Sequence, residues 1–447
     1  MQAAASCGNR AAAFKPRSRH PRTTGSRRSA CNVESSSTDI TLRELETTIW
    51  RRLRADAVPF VAAFSNSDRP GTVFMRARPL GALSLSLLVL LCLPPSAGTA
   101  SGARDRGSAV VLDAATGREV ARLSANGALV AAVADGRGGW FVAGSFSRLD
   151  RKERVAIAHL LPSGRVDPAW KASIGSASGR PVAVNALARD GTRLFIAGPF
   201  GLVGGLQRPG LAALDARTGK VLRDWAPRPR AWLDVAALAI VDGRLLVARN
   251  YSYPIPGITA LGIQTGAVDR HWNPRLILIG DAGSFNTLLP VHARVYVAGS
   301  FHVRGVQRNG LAALAAADGS VDGPWAPRPE NCSVCNGFAV LYGLAASAQR
   351  IYVSGSFARI DGVARPGIAA LDPRSGAIDP NWKPARGANN VLHLALAGSR
   401  LYLGGLSGLA ALTANTGGVI HLPADDAPGE VLALALSGGR LLVAGRP

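Results

Sequence analysis

From about residue 108 onward the apolar positions fall in short runs broken by turns, and no stretch keeps a helical period. Two patterns alternate. The first is an apolar strand, a turn, and a second strand that ends in small residues. Its clearest copies are Arg193–Gly198, Arg294–Gly299, Arg350–Gly355, Arg400–Gly405 and Arg440–Gly445, with Gly139–Gly144 and Arg244–Arg249 as variants. The second is a strand, a turn closing on glycine, and a further strand. Its glycines are Gly117, Gly164, Gly219, Gly266, Gly319, Gly376 and Gly417, and in five copies a tryptophan follows six residues later: Trp170, Trp225, Trp272, Trp325 and Trp382. Each unit therefore reads as two hairpins of four strands. Asp113, Asp215 and Asp372 stand four before the glycine, where a carboxylate accepts turn N–H groups while glycine takes a positive φ.

Four-stranded units repeating at this spacing predict an all-β fold, a β-propeller of seven blades over residues 104–447. The order of the halves predicts how it closes. The pattern opens with a lone second half, Val110 to Val120, and ends with a lone first half, Val431 to Gly445. Pairing the two completes a seventh blade and leaves no unpaired edge. The tryptophans, fixed relative to the turn glycine, are expected to pack between blades rather than to serve as ligand platforms.

The recurring pattern, best seen from Arg294 to Trp325 and from Arg350 to Pro384, resembles the secreted bacterial β-propellers of delta-sixty-type repeats, a family without a settled activity, and more distantly the fungal cortical cell-polarity marker propellers. The resemblance covers nearly all of 108–447 and implies the fold rather than a reaction. Ala213 to Lys220 also looks like the tryptophan-docking repeat of quinoprotein dehydrogenases. There the tryptophan comes about four residues after the glycine and the blades number eight, so this chain departs from that family, as it does in lacking an adjacent-cysteine pair.

Composition then narrows the setting. The chain has 447 residues, 47% hydrophobic and 18% charged, with a net charge of +22. That excludes an acidic, disordered chain and suits an anionic partner, although arginine-rich usage can also reflect base composition. Residues 75–103 read as a signal peptide or signal anchor: Arg76 and Arg78, an apolar run from Leu80 to Leu93, then Pro94, Pro95 and small residues up to Ala103. The run is shorter than a membrane span needs, so cleavage and export are expected. Residues 1–74 are a basic, low-complexity stretch, expected to be disordered or, with Met75 as the start, not translated. Ile40 to Leu53 within it has the pattern of a short basic amphipathic helix. Residues 101–447 keep 37 basic against 23 acidic residues. Their only cysteines, Cys332 and Cys335, read as a structural disulfide in an oxidising compartment, with a redox centre as the weaker reading.

Catalytic signals are sparse. No G-x-S-x-G, H-E-x-x-H, P-loop or calcium-loop pattern occurs after residue 103, and His159, His271, His292, His302, His393 and His421 are scattered. Asp167, Asp269, Asp322 and Asp379 stand three after the repeat glycine, either a ring of cation ligands or a repeated backbone cap. A symmetric scaffold places function where the symmetry breaks. It breaks at Arg249, which stands where six copies have glycine and precedes Tyr251 and Tyr253, and again at Asn331–Gly337 around the cysteines. These two loops are expected on one face, with Arg249, Tyr251 and Tyr253 as the candidate binding residues. The expected function is a monomeric, exported, non-catalytic binding or scaffold module for a protein, glycan or envelope polyanion. No cofactor, metal or nucleic acid is expected, and membrane contact only through an uncleaved signal segment. The alternative is a quinone-dependent or carbohydrate-active propeller enzyme.

Overall fold

The computed structural model divides the chain into two units, Met1–Pro95 and Ser96–Pro447. It describes residues 107–446 apart from 177–178, 228–231, 233, 251–256, 279–282, 304–305, 331–338, 385–389 and 424–426. The segments 1–74 and 75–103, Tyr251, Tyr253, Cys332 and Cys335 lie outside the described residues.

Among the described residues there is no helix; of nine antiparallel sheets, two are small three-stranded ones in the connections and seven follow one plan. Each begins with an inner strand: in chain order Leu129–Ala134, Ala186–Asp190, Val235–Val241, Ser284–Val291, Val340–Ala346, Val391–Ala397 and Glu430–Ser437, which number sheets one to seven here. A tight turn leads to the second strand, whose residues are almost all buried, as in Trp140–Gly144 and Arg400–Gly405. A third strand pairs on the far side. The chain is a β-propeller. In sheet seven the third and fourth strands come from the other end of the sequence: Gly107–Asp113 pairs with Arg440–Arg446, Val110 opposite Val443, and then with Glu119–Ala125.

The predicted fourth strands are shorter than the pattern suggests. In sheets one to five the fourth strand is one bridge, Leu160 with Val166, Leu214 with Val221, Leu261 with Val268, Leu314 with Val321 and Leu371 with Ile378. The turn itself forms as expected. Asp215 Oδ1 accepts the Thr218 N–H at 2.8 Å and Asp372 Oδ1 the Ser375 N–H at 2.7 Å, while Gly219 and Gly376 sit at φ 78° and 77°. What shortens the strand is the residue after the bridge. Asp167 and Asp379 accept the N–H two residues on, at 2.9 and 2.8 Å, which turns the backbone inward and delivers the tryptophan to the core.

A second close approach explains the small residue that ends the second strand. The inner strand bulges at its start in sheets one and three to seven. A β-carbon on Gly144 or Gly445 would meet the carbonyl oxygen of Ala128 at 1.9 Å or of Glu430 at 1.8 Å.

The sheets are linked in order by buried aromatic groups. Trp170 Nε1 donates to the Ala216 carbonyl at 3.0 Å, Trp225 to Gly262 at 3.3 Å, Trp272 to Ala316 at 3.1 Å and Trp325 to Asp372 at 3.2 Å, each reaching from one sheet into the next. Tyr352 and Tyr402 hydroxyls continue the series to the carbonyls of Ala414 and Ala114, at 2.8 and 3.0 Å. From sheet one, Trp140 Nε1 donates to Ala435 of sheet seven at 3.0 Å. Trp170, Trp225, Trp325 and Trp382 are at most 1% exposed and Trp272 3%. Trp225, Trp325 and Trp382 meet Phe195, Tyr296 and Tyr352 in T-shaped pairs with centroids 5.0 to 5.6 Å apart.

Candidate functional site

Arg249 is the described member of the nominated loop, and it is not on the surface. It is buried, with its guanidinium carbon 5.9 Å from the centroid of the Trp232 ring, and burial pulls its pKa down while nearby Asp234 opposes that pull. It stands where the other six sheets have glycine, and Asp234, whose carbonyl accepts the Asn250 N–H at 3.1 Å, sits at φ 63°. Trp232 in turn lines a cavity of about 560 Å³ with Arg208, Pro209 and Pro227.

The aspartates three after the repeat glycine prove to be partners of the arginine that opens the second strand of the same sheet. Arg244 Nε meets Asp269 Oδ2 at 2.7 Å, Arg294 meets Asp322 at 2.5 Å, and Arg350 Nε meets Asp379 Oδ2 at 2.6 Å. Each aspartate also caps backbone, so each carboxylate is engaged twice. For Asp269 the Arg244 bond outweighs burial, and for Asp379 the Arg350 bond and the backbone N–H groups overcome it. Both pKa values are held below the ordinary range.

Sheet one does this differently. Gly139 replaces the arginine, and His159 stands where the register opposite the aromatic position carries Ala213, Ala260, Ala313, Ala370, Ala411 or Val111 in the other sheets. The imidazole lies 4.8 Å from the Phe141 ring and between two carboxylates: Nδ1 to Asp167 Oδ2 is 2.9 Å and Nε2 to Asp135 Oδ2 is 3.0 Å. Asp135 is buried and its Oδ1 accepts the N–H groups of Arg137 and Gly139 at 2.6 and 2.8 Å. Burial raises its pKa, but those bonds and His159 outweigh burial and hold it below the ordinary value; Asp167 is lowered in the same way by His159 and the Ala169 N–H. Glycine is required at 139, because a β-carbon there would sit 2.2 Å from the Leu160 carbonyl and 2.8 Å from Asp135 Oδ2.

This triad borders a cleft of about 620 Å³ between sheets one and two, which Arg137, Arg189 and Arg217 also line. The cleft was not predicted. His159 is separated from its carboxylates by 24 and 8 positions, so no local spacing announces it. The signal lies in the aligned copies, where Gly139 and His159 depart from the repeat together.

The model of a β-propeller domain of unknown function, DUF5122, matches residues 294–323, from the second strand of sheet four through its turn glycine. No curated protein matches the chain. Solved structures similar over 72% of it include the computationally designed Ika8 protein (13% identity, 96% of that chain, TM-score 0.41), the extracellular domain of a putative one-component system from B. thetaiotaomicron (12%, 38% of that chain, 0.46), and the WD40 β-propeller domain of Doa1 (11%, 93% of that chain, 0.40). Family match and sheet plan together support a β-propeller domain of unknown function.

Proposed function

We propose that residues 104–447 are a closed, seven-bladed, exported propeller that acts as a non-catalytic binding or scaffold module for a protein, glycan or envelope polyanion. Closure is supported by the unbroken series of aromatic-to-carbonyl bonds, with Trp140 to Ala435 as the link between sheets one and seven. Export is supported by the charged, apolar and small-residue parts of 75–103. The observation that carries binding over catalysis is the engagement of His159. Both of its ring nitrogens lie within hydrogen-bond distance of carboxylates, so this imidazole is engaged by the fold itself. The test is a glycan and envelope-polymer array probed with purified 104–447, alongside incubation with pyrroloquinoline quinone and metal. Array capture without bound quinone absorbance is the expected result. Stable quinone uptake with dye reduction would reverse the reading.

A further inference from the structure

Two departures from the repeat face the same cleft, and they point to a ligand. Opposite the first apolar residue of the second strand, the inner strands carry Ala134, Ile240, Pro290, Ala346, Leu396 and Leu436; sheet two alone carries a charged residue there, Arg189. Its half-buried guanidinium reaches toward sheet one. A β-carbon on Gly136, which sits at φ 76°, would meet Arg189 Nη1 at 2.7 Å, so the turn of sheet one leaves room for this side chain. Arg137 follows in that turn, and Arg217 approaches from the turn of sheet two.

Guanidinium groups brought together repel, and carboxylates usually compensate them. Here Asp135, Asp167 and Asp215 line the same cleft, and Asp215 partly compensates Arg217, but none of them pairs directly with Arg137 or Arg189. Asp135 and Asp167 hold His159 and turn N–H groups, and Asp215 Oδ1 holds the Thr218 N–H and hydroxyl at 2.8 and 2.7 Å. Neither Arg137 nor Arg189 makes an ion pair with a described residue, and Arg189 Nε is buried without a hydrogen-bond partner. Through its contacts with Asp135 and Asp167, His159 holds both carboxylates in a geometry that forms no direct ion pair with Arg137 or Arg189.

We propose that the cleft between sheets one and two binds an oxyanion-bearing small molecule, a phosphate or carboxylate group held by Arg137 and Arg189 with Arg217 at the rim. The remaining volume, of about 620 Å³ in all, admits a body the size of a sugar against Phe141 and Pro162. Guanidinium recognises both oxyanions by paired N–H donors, and two or three of them favour the more highly charged phosphate. This site rests on the binding reading above.

The experiment is calorimetry on purified 104–447 with inorganic phosphate, acetate and glucose 6-phosphate at matched ionic strength. Phosphate and glucose 6-phosphate are expected to bind, the latter more tightly, with acetate weaker. In Arg189→Leu, which restores the apolar residue type of the other sheets, affinity should fall about tenfold or more. Arg137→Ser, on an exposed turn, should act in the same direction without loss of melting temperature. If Arg189→Leu fails to fold, Arg137→Ser carries the test alone. Tighter acetate than phosphate binding would keep the site and assign it to carboxylates. No binding of any of the three below about 10 mM, or equal affinity in folded Arg137→Ser and wild-type protein, would overturn the proposal. Failure here with array capture intact would remove this site and leave the wider binding reading standing.

Discussion

His393 stands on the inner strand of sheet six, half-buried among its neighbours, and burial alone pulls its pKa from 6.5 to about 4. An unfolded chain takes up that proton at ordinary acidity, whereas the folded chain resists it. Between pH 6.5 and 4 the unfolded state therefore binds more protons, and stability falls as pH drops through that window and is flat above it. The shift amounts to at most about 3 kcal/mol. Asp135, Asp167, Asp269 and Asp379, held below 3.8, act in a separate window. Their contribution is present above 3.8 and is lost only as pH falls through their lowered values. Thermal unfolding at pH 7 and pH 4.5 should show a loss in the wild-type protein that is much smaller in His393→Leu. An equal loss in both would mean that His393 is hydrated and its pKa ordinary.

At the scale of the strand and turn, the repeated tryptophans offer a controlled comparison. Trp325 and Trp382 are fully buried at equivalent places and pair with Tyr296 and Tyr352 in the same geometry. Trp325 Nε1 has the Asp372 carbonyl, but Trp382 Nε1 is buried without a partner among the described residues. Replacing either with alanine should cost about 3 to 5 kcal/mol by cavity formation. Phenylalanine separates the two effects. Trp325→Phe loses a hydrogen bond as well as volume, so chemical denaturation should find it about 1 kcal/mol more damaging than Trp382→Phe. Equal costs would show that these bonds add nothing to the packing. Much at this level is legible in the sequence because glycine φ, aspartate caps and alternating apolar positions are local properties: Gly219, Asp215 and Trp225 stand where their spacing puts them. Arg249 is not so legible, since only the packing shows that its guanidinium covers Trp232. His159 and Arg189 are legible only after the copies are aligned by register. The signal is then a histidine among alanines and an arginine among apolar residues, not a motif.

For the molecule as a whole, the decisive element is the strand Gly107–Asp113. It lies inside sheet seven, between Arg440–Arg446 and Glu119–Ala125, and its Ala109, Val110, Val111 and Leu112 are fully buried. The same segment serves both neighbours. Val111 packs with Trp140 and Ala158 of sheet one, while Val110 and Leu112 pack with Tyr402 and Ala411 of sheet six. Tyr402 also donates to the Ala114 carbonyl just beyond the strand. Taking away residues 104–124 would therefore uncover the backbone of Leu441 to Val443 as an open edge, expose apolar surface on sheets one and six, and leave the Tyr402 hydroxyl without its acceptor. The truncated protein is expected to unfold at lower temperature and to associate, as read by light scattering beside the 104–447 form. Adding a synthetic peptide of residues 104–124 should restore the monomer, because the missing strands supply the pairing that the exposed edge would otherwise seek in another molecule. A truncated protein that stays monomeric at an unchanged melting temperature would show that sheet seven is complete without its N-terminal half, and the closed ring would have to be given up.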